Sequence, residues 1–207
     1  MRRLVVPLLL ALAVVPAAAA AQLVGDAAVA FSADRSVTWK GKTYPGRVYA
    51  RPGMQRHEEV FGALSVVAIL RADRQTAYVM LPDLNLYTKA PFPKAVTEKG
   101  DVSQLGAPVG EATVAGRQAQ QYRLARNGSD GSALDGSLWL TRDWIVLKAD
   151  GTWTAPAHAP EHGTLQLANI VEAPQDPALF EVPAGMQEVP LETVQSLLSL
   201  KLPKLKG

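Results

Sequence analysis

Apolar and polar residues alternate along most of the chain between residues 26 and 188, with the period of two that is typical of β-strands. The alternation is clear over residues 29–33, 44–51 and 76–81, whereas residues 64–70 form a nearly continuous apolar run. Turn residues separate these segments at intervals of about ten residues. Short strands with this spacing predict an antiparallel barrel or a strongly curved sheet.

Two dipeptides predict hairpin turns in the second half of the chain. Residues 115–116 (Ala-Gly) lie between two extended segments. Residues 150–151 (Asp-Gly) separate the strand pattern of residues 145–147 from that of residues 152–154. Asp-Gly fits a type I′ turn because both central residues of that turn need positive φ. A late strand is expected at residues 165–170.

Two stretches depart from the strand pattern. Residues 90–110 contain three prolines and three glycines and predict a long excursion, with at most one or two short helices around residues 95–105. Long loops of this kind often serve as lids or binding loops. In residues 190–207, apolar residues that include Leu197 and Leu198 fall at helical spacing, which predicts a short amphipathic helix.

The first residues have the pattern of an export signal. Arg2 and Arg3 precede an apolar stretch over residues 4–15, and small residues suited to cleavage follow through Ala21. A membrane-spanning helix needs about 20 apolar residues, and this stretch is barely that long. The pattern therefore favours a cleavable signal peptide over residues 1–21 and a periplasmic location.

Charge balance excludes one class of function. The chain has 21 Lys and Arg against 19 Asp and Glu, and loss of Arg2 and Arg3 with the signal peptide leaves equal numbers of each sign. A neutral protein lacks the positive field that nucleic acids require, so we expect no nucleic-acid partner. We expect residues 22–189 to form one domain, followed by residues 190–207 as an amphipathic tail.

Motifs for catalysis or metal binding are absent from the sequence. The chain has no cysteine, no G-x-S-x-G and no phosphate-binding glycine-rich motif. His57 is not followed by the second histidine of a zinc-protease motif, and Glu58 and Glu59 point to opposite faces of a strand. His158 and His162 are four residues apart, but the neighbouring prolines indicate a loop. We therefore predict no enzyme, no metal site and no cofactor.

Four tryptophans leave two interpretations open. Packing is the better interpretation for Trp39 and Trp153, because tryptophans dominate core energetics in a chain with 6% aromatic residues. Trp139 and Trp144 fit packing or ligand stacking equally well. Trp139 has an apolar neighbour on each side, so its strand is apolar on both faces and is covered on both sides or lines an apolar cavity.

Several segments, taken in order, resemble the periplasmic lipoprotein-carrier superfamily (LolA/LolB-like proteins). They are residues 49–58 (YARPGMQRHE), 73–87 (DRQTAYVMLPDLNLY), 138–141 (LWLT) with 146–148 (VLK), and 165–170 (LQLANI) with 176–185 (DPALFEVPAG). The nearest subgroup is that of the uncharacterised secreted members similar to outer-membrane lipoprotein-sorting proteins. The matches extend over residues 48–189.

The resemblance implies a mainly β fold with few helices, of the α+β class. The family has a strongly curved antiparallel sheet that forms a half-open barrel, with a helical or loop lid over an apolar concave face. In the carrier this face receives acyl chains, and a turn arginine that corresponds to Arg51 helps to hold the lid closed. The sequence departs from the family where Gln55 and His57 replace aromatic residues, and where the N-terminal helix is missing.

The leading functional hypothesis is a periplasmic binding module for an acyl chain or a lipoprotein segment. The strand register predicts that the ligand-binding residues are Val66, Tyr78, Leu124, Leu138 and Leu165. Arg51, Leu197 and Leu198 are the predicted lid or gate residues. The alternative is a protein-interaction or envelope-stress sensor module with a closed, packed core and an envelope protein as its partner. Attachment of the basic tail to a membrane surface is a third, weaker hypothesis.

Overall fold

A computed structural model describes residues 27–92, 105–127, 131–157 and 159–201, and within these ranges one sheet dominates the molecule. The predicted signal peptide, His158 and most of the excursion over residues 90–110 lie outside the described residues. The strands are β1 (Phe31–Trp39), β2 (Lys42–Arg51), β3 (Met54–Phe61), β4 (Leu64–Arg71), β5 (Thr76–Leu81), β6 (Leu86–Pro91), β7 (Gly110–Val114), β8 (Arg117–Asn127), β9 (Ala133–Leu140), β10 (Val146–Thr154), β11 (Glu161–Glu172) and β12 (Gln187–Glu188). One helix, α1 (Leu191–Lys201), follows them.

The sheet consists of two antiparallel meanders that meet at one strand pair. Its spatial order is β12-β6-β5-β4-β3-β2-β1-β11-β10-β9-β8-β7. Strands β1 to β6 pair in chain order, as do β7 to β11, and the pairing of β1 with β11 joins the two halves. β12 adds in parallel to β6 at one edge. The sheet is strongly curved and does not close, which confirms the predicted half-open barrel.

The prediction of a hairpin turn at Asp150 and Gly151 is wrong. Both residues lie inside β10, where Gly151 pairs with Gly136 on β9 and with Gly163 on β11. Three glycines therefore lie side by side across three strands. A Cβ atom on Gly136 would lie 2.2 Å from the Asp150 carbonyl oxygen, so the strands approach too closely there for any side chain. Glycine inside a strand often marks such a bend at the corner of a barrel.

The sheet buries apolar side chains on both faces, and the larger cluster is on the concave face. Inward residues of both meanders, such as Val66 on β4 and Leu124 on β8, belong to one cluster. Only the concave side of a curved sheet brings such distant strands together. A smaller cluster around Val67 and Ile69 covers the convex face of β4 and β5. β4 is therefore buried on both sides, as its continuous apolar sequence indicated.

Residues 173–189 cross the convex face, and we call this segment the strap. Phe180 on the strap is fully buried against Ile69 and Met80. Arg71 donates a hydrogen bond to the Phe180 carbonyl oxygen at 3.1 Å, and Arg56 donates one to the Leu179 carbonyl oxygen at 3.0 Å. These arginines satisfy backbone acceptors that the strap would otherwise bury without partners.

The strap continues along the edge of the sheet and leads into the helix. The amide nitrogens of Gln187 and Val189 donate hydrogen bonds to the carbonyl oxygens of Asn85 and Tyr87, at 2.9 and 2.8 Å. The helix α1 begins directly after Pro190, as predicted, and carries apolar side chains to the concave cluster. In the described part of the chain, no helix is long and apolar enough to cross a membrane.

Candidate ligand-binding site on the concave face

The structure brings four of the five predicted ligand-binding residues together on the concave face. Val66, Leu124, Leu138 and Leu165 all belong to the concave cluster and are 6% exposed or less. Tyr78 instead packs with the convex cluster. The apolar alternation of the strands is therefore a good guide to the concave surface at these four positions.

The placement of Tyr78 corrects the predicted register of β5. The neighbouring residues Val79 and Leu81 face the concave cluster, and Tyr78 and Met80 face the convex one. Side chains of a strand alternate between faces, so a shift of one residue exchanges the two sets. β5 is apolar on both faces, and its alternation therefore could not identify the inward set.

The two predicted lid leucines lie on α1, over the concave cluster. Leu198 is 3% exposed, as part of this cluster, and Leu197 is partly buried against it. Val194, one turn earlier, is fully buried there. Helix α1 thus covers part of the concave face with an apolar stripe. Leu105, in the described end of the predicted excursion, is also buried in this cluster.

Arg51, the third predicted lid residue, lies away from the helix. It is half-buried at the end of β2, beside Pro52. With Val29, Ala30 and the first residues of the strap, it lines an open groove on the surface. Its role in lid closure therefore stays a prediction.

A small cavity lies inside the concave face, between β1, β2, β3, β11 and the residues that follow β9. Its volume is about 40 Å³, which is room for about three water molecules. Twelve residues line it: Ala27, Phe31, Arg35, Val48, Ala50, Gln55, His57, Trp144, Ile145, Val146, Leu165 and Leu167. Leu165 is the one predicted ligand-binding residue among them.

A buried polar cluster borders this cavity. Arg35 on β1 and Gln55, His57 and Glu59 on β3 are each 8% exposed or less. Arg35 forms an ion pair with Glu59 through Nη1. The sequence analysis did not identify this cluster as a site, although its signal is present in the sequence. Arg35 is in phase with the inward residues of β1, and the three β3 residues are in phase with the inward Phe61.

Hydrogen bonds fix the protonation state of His57. Nη1 of Arg35 lies 3.2 Å from Nδ1 of His57, and an arginine can only donate, so Nδ1 accepts. Nε2 therefore carries the proton and donates it to Oε1 of Gln55 at 3.1 Å. Burial and the neighbouring Arg35 charge lower the pKa of His57 well below its ordinary value. The imidazole is neutral.

The same burial acts on the charged pair. Burial raises the pKa of Glu59, and the Arg35 charge opposes that shift. Nε and Nη2 of Arg35 are buried and have no hydrogen-bond partner among the described residues, nor has Nε1 of Trp39. Buried N–H groups without partners are rare and cost free energy, so these atoms mark the least satisfied part of the concave core.

The two tryptophans with open interpretations have different surroundings. Trp139 is partly buried on β9, with Nζ of Lys148 at 4.6 Å from its ring centroid, which is a cation–π contact. Trp144 lines the cavity and has φ of +64°. Trp39 is buried, as expected. Trp144 is therefore the tryptophan that is placed to contact a ligand in the cavity.

Groups of side chains suited to metal binding are not found in the described ranges of the chain. His162 lies on β11 and not in a loop, and its Nε2 is 3.0 Å from the Asp150 carboxylate. Glu58 faces outward to Arg56, while Glu59 faces inward, as the alternation predicted. In the described ranges, the concave face is apolar apart from one buried cluster of polar and charged side chains.

Comparison with known proteins finds a shared fold. No protein-family model matches the chain, and no curated protein matches its sequence. An uncharacterized conserved protein of Thermus thermophilus has a similar structure, with a TM-score of 0.51 and 15% identity over 78% of this chain and 90% of that chain. At this identity the similarity concerns the fold.

Two further solved structures have a lower structural similarity to this chain. One is the LolA superfamily protein NE2245 of Nitrosomonas europaea, at 8% identity and a TM-score of 0.42, over 78% of this chain and 94% of that chain. The other is MucB in the MucA/MucB complex of Pseudomonas aeruginosa, at 22% identity and a TM-score of 0.47. That match covers 83% of this chain and 60% of the other chain.

Proposed function

We propose that this protein is a non-catalytic periplasmic binding module that holds an acyl chain, free or on a lipoprotein, against its concave face. The observation that supports it is an apolar concave surface covered by a separate helix and retaining a cavity at one end. The proposal includes export by residues 1–21, a binding domain over residues 22–189 and a lid formed by the tail over residues 190–207.

The cost of moving the helix can be compared with the free energy gained by burying a ligand. The cavity of about 40 Å³ is too small for an acyl chain, so binding requires covering segments to move. Helix α1 buries Val194 and Leu198, and exposing them costs about 3–6 kcal/mol. Ten buried methylenes contribute about 8 kcal/mol before ordering costs. A gross gain of this size exceeds the cost of exposing the helix residues, whereas that of a short apolar molecule does not.

Lipid retained through purification tests this proposal. Protein isolated from native membranes without detergent stripping, then extracted with organic solvent, should release fatty-acyl species detectable by mass spectrometry.

Dye binding tests the role of the helix as a lid. Leu198→Ala should raise the binding of an uncharged apolar dye such as N-phenyl-1-naphthylamine, because the helix loses an anchor on the concave cluster. Glu192→Ala, at an exposed position of the same helix, is the matched control and should leave dye binding unchanged. Folded protein with neither lipid nor a dye response would contradict the proposal.

A second candidate is a protein-interaction module, and the edge strand β7 favours it, because no further strand pairs with it among the described residues. β7 is the last strand on its side, and its Glu111 and Thr113 side chains are exposed. A free strand edge can pair with a strand of a partner. If the purified protein carries no lipid, and a cross-link to an envelope protein is lost in Thr113→Pro but kept in Thr113→Ser, this second function is the correct one.

A further inference from the structure

Arg35 has one hydrogen-bonding edge in use and one without partners. Nη1 pairs with Glu59 and His57. Nε and Nη2, which lie on the same side of the planar guanidinium, each expose less than 1 Å² and have no partner in the described part of the chain. This edge presents two parallel N–H groups, the arrangement that binds a carboxylate through both of its oxygens.

The same protein shows what this edge of an arginine binds. Arg71 donates from Nε to Oδ1 of Asp73 at 2.8 Å and from Nη2 to Oδ2 at 2.6 Å. Its Nη1 contacts Glu181, as Nη1 of Arg35 contacts Glu59. The two arginines thus share a pattern of one acidic partner at Nη1. They differ because Arg71 also holds a carboxylate on the opposite edge.

We propose that the Nε and Nη2 edge of Arg35 binds the carboxylate of a free fatty acid whose alkyl chain lies along the concave face. The inference deepens the proposed function and rests on it. Nine of the twelve residues that line the cavity beside Arg35 are apolar, and they suit contact with the first methylenes of the fatty acid, next to its carboxylate. A carboxylate would satisfy two buried donors that each cost free energy while unpaired.

The charge of the site requires a proton to accompany the ligand. A second carboxylate beside Arg35 leaves the site one charge negative unless Glu59 is protonated, and burial already raises the pKa of Glu59. The charged and titratable groups that face the site are Arg35 from β1 and His57 and Glu59 from β3, with His57 neutral. β2, β11 and the residues after β9 contribute apolar side chains. Fatty-acid binding should therefore take up a proton at Glu59.

Residues 144–146 form part of the wall of the cavity beside Arg35. Trp144 lines the cavity, and its positive φ is a conformation that is unfavourable for a residue other than glycine. The segment is held by hydrogen bonds from Trp144 N and Ile145 N to Thr141, at 3.1 Å each. Because the free nitrogens of Arg35 are buried, residues that line the cavity must move when the ligand enters, and Trp144 is one of them. Trp144 fluorescence should therefore change on binding.

The test compares a fatty acid with its ester. Palmitate and methyl palmitate have the same alkyl chain, but the ester lacks the charged, bidentate carboxylate. The full-length protein should bind palmitate about tenfold to hundredfold more tightly than methyl palmitate, the range expected for hydrogen bonds to a charged group. Isothermal titration in two buffers of different ionisation enthalpy should show uptake of about one proton with palmitate.

Two variants test whether Arg35 causes the preference for palmitate over methyl palmitate. The double variant Arg35→Leu, Glu59→Leu replaces the whole ion pair with apolar residues, a change that folded proteins often tolerate. This variant should bind both ligands equally. Arg35→Lys keeps the charge without the two-pronged edge and should retain only part of the preference. Equal binding of palmitate and its ester by the natural protein would overturn the Arg35 site and leave acyl binding intact. Binding of neither ligand would overturn the proposed function as well. A preference that survives in the double variant would place the carboxylate elsewhere.

Discussion

At the scale of single residues, the concave core is marked by polar side chains at inward positions of apolar strands. Arg35 and Glu59 form a buried ion pair, an arrangement that often contributes no net stability relative to apolar residues of similar size. The proposed carboxylate site would give this pair a role in binding. His57 beside it is buried and neutral, and this makes its contribution to stability dependent on pH.

His57→Gln should reduce the acid sensitivity of the fold. The folded protein holds His57 neutral, while the unfolded chain takes up a proton as pH falls through about 6.5. The stability that His57 contributes is therefore present above pH 6.5 and decreases below it. Between pH 7.5 and 5.5 the natural protein should lose more stability than the variant, with an upper limit of about 1.4 kcal/mol. Urea unfolding at the two pH values measures this, and equal losses would contradict a buried neutral histidine.

Trp144 provides a second prediction, about backbone conformation. Its φ of +64° favours glycine, so Trp144→Gly should be more stable than Trp144→Ala by about 1 kcal/mol, although glycine is usually the less stable of the two. Trp139, inside strand β9, is the control, and there the alanine variant should be the more stable. Thermal unfolding of the four variants gives the comparison. The same order at both positions would show that the conformation of Trp144 carries no cost.

At the scale of elements, local alternation predicts the strands well but does not determine which face of each strand is inward. The strand periods identified the curved antiparallel sheet and four of the five concave residues. Tyr78 was assigned to the wrong face because β5 is apolar on both sides. The predicted hairpin at Asp150 and Gly151 is wrong because Gly151 instead permits the close approach of β9 and β11 at Gly136 and Gly163, which lie outside the dipeptide that suggests a turn. Arg35 was missed because no local motif connects β1 with β3.

The row of glycines across β9, β10 and β11 gives a prediction at this scale. Gly136→Ala places a Cβ 2.2 Å from the Asp150 carbonyl oxygen and 2.6 Å from Cα of Gly151, so the backbones must separate. We expect a loss of about 1–3 kcal/mol in the free energy of unfolding, as for other overpacked sites. Gly110→Ala, in β7, meets nothing closer than 3.6 Å and should be nearly neutral. Similar values for both variants in chemical unfolding would show that the sheet relaxes easily at this bend.

At the scale of the whole molecule, the C-terminal residues connect the two faces of the sheet. The strap anchors Phe180 on the convex side, β12 follows the edge, and α1 packs on the concave side. Arg71 donates hydrogen bonds to Glu181 on the strap and to Asp73 beside it, and these bonds lower the pKa of both carboxyl groups. The helix that covers the proposed binding face is therefore positioned by contacts on the opposite face. A change on the convex side should alter access to the concave side.

Phe180→Ala tests this connection. Removing a fully buried phenylalanine should cost about 3–5 kcal/mol and loosen the strap, so that amide protons of α1 exchange faster relative to those of the central strands. Leu140→Ala is the control, because Leu140 is equally buried but lies on β9, away from the strap. It should lower the stability of the sheet without a selective effect on the helix. Hydrogen exchange measured by mass spectrometry distinguishes the two variants. If the protection of α1 relative to the sheet is the same in both, the strap does not position the lid, and the helix is held by its own concave contacts alone.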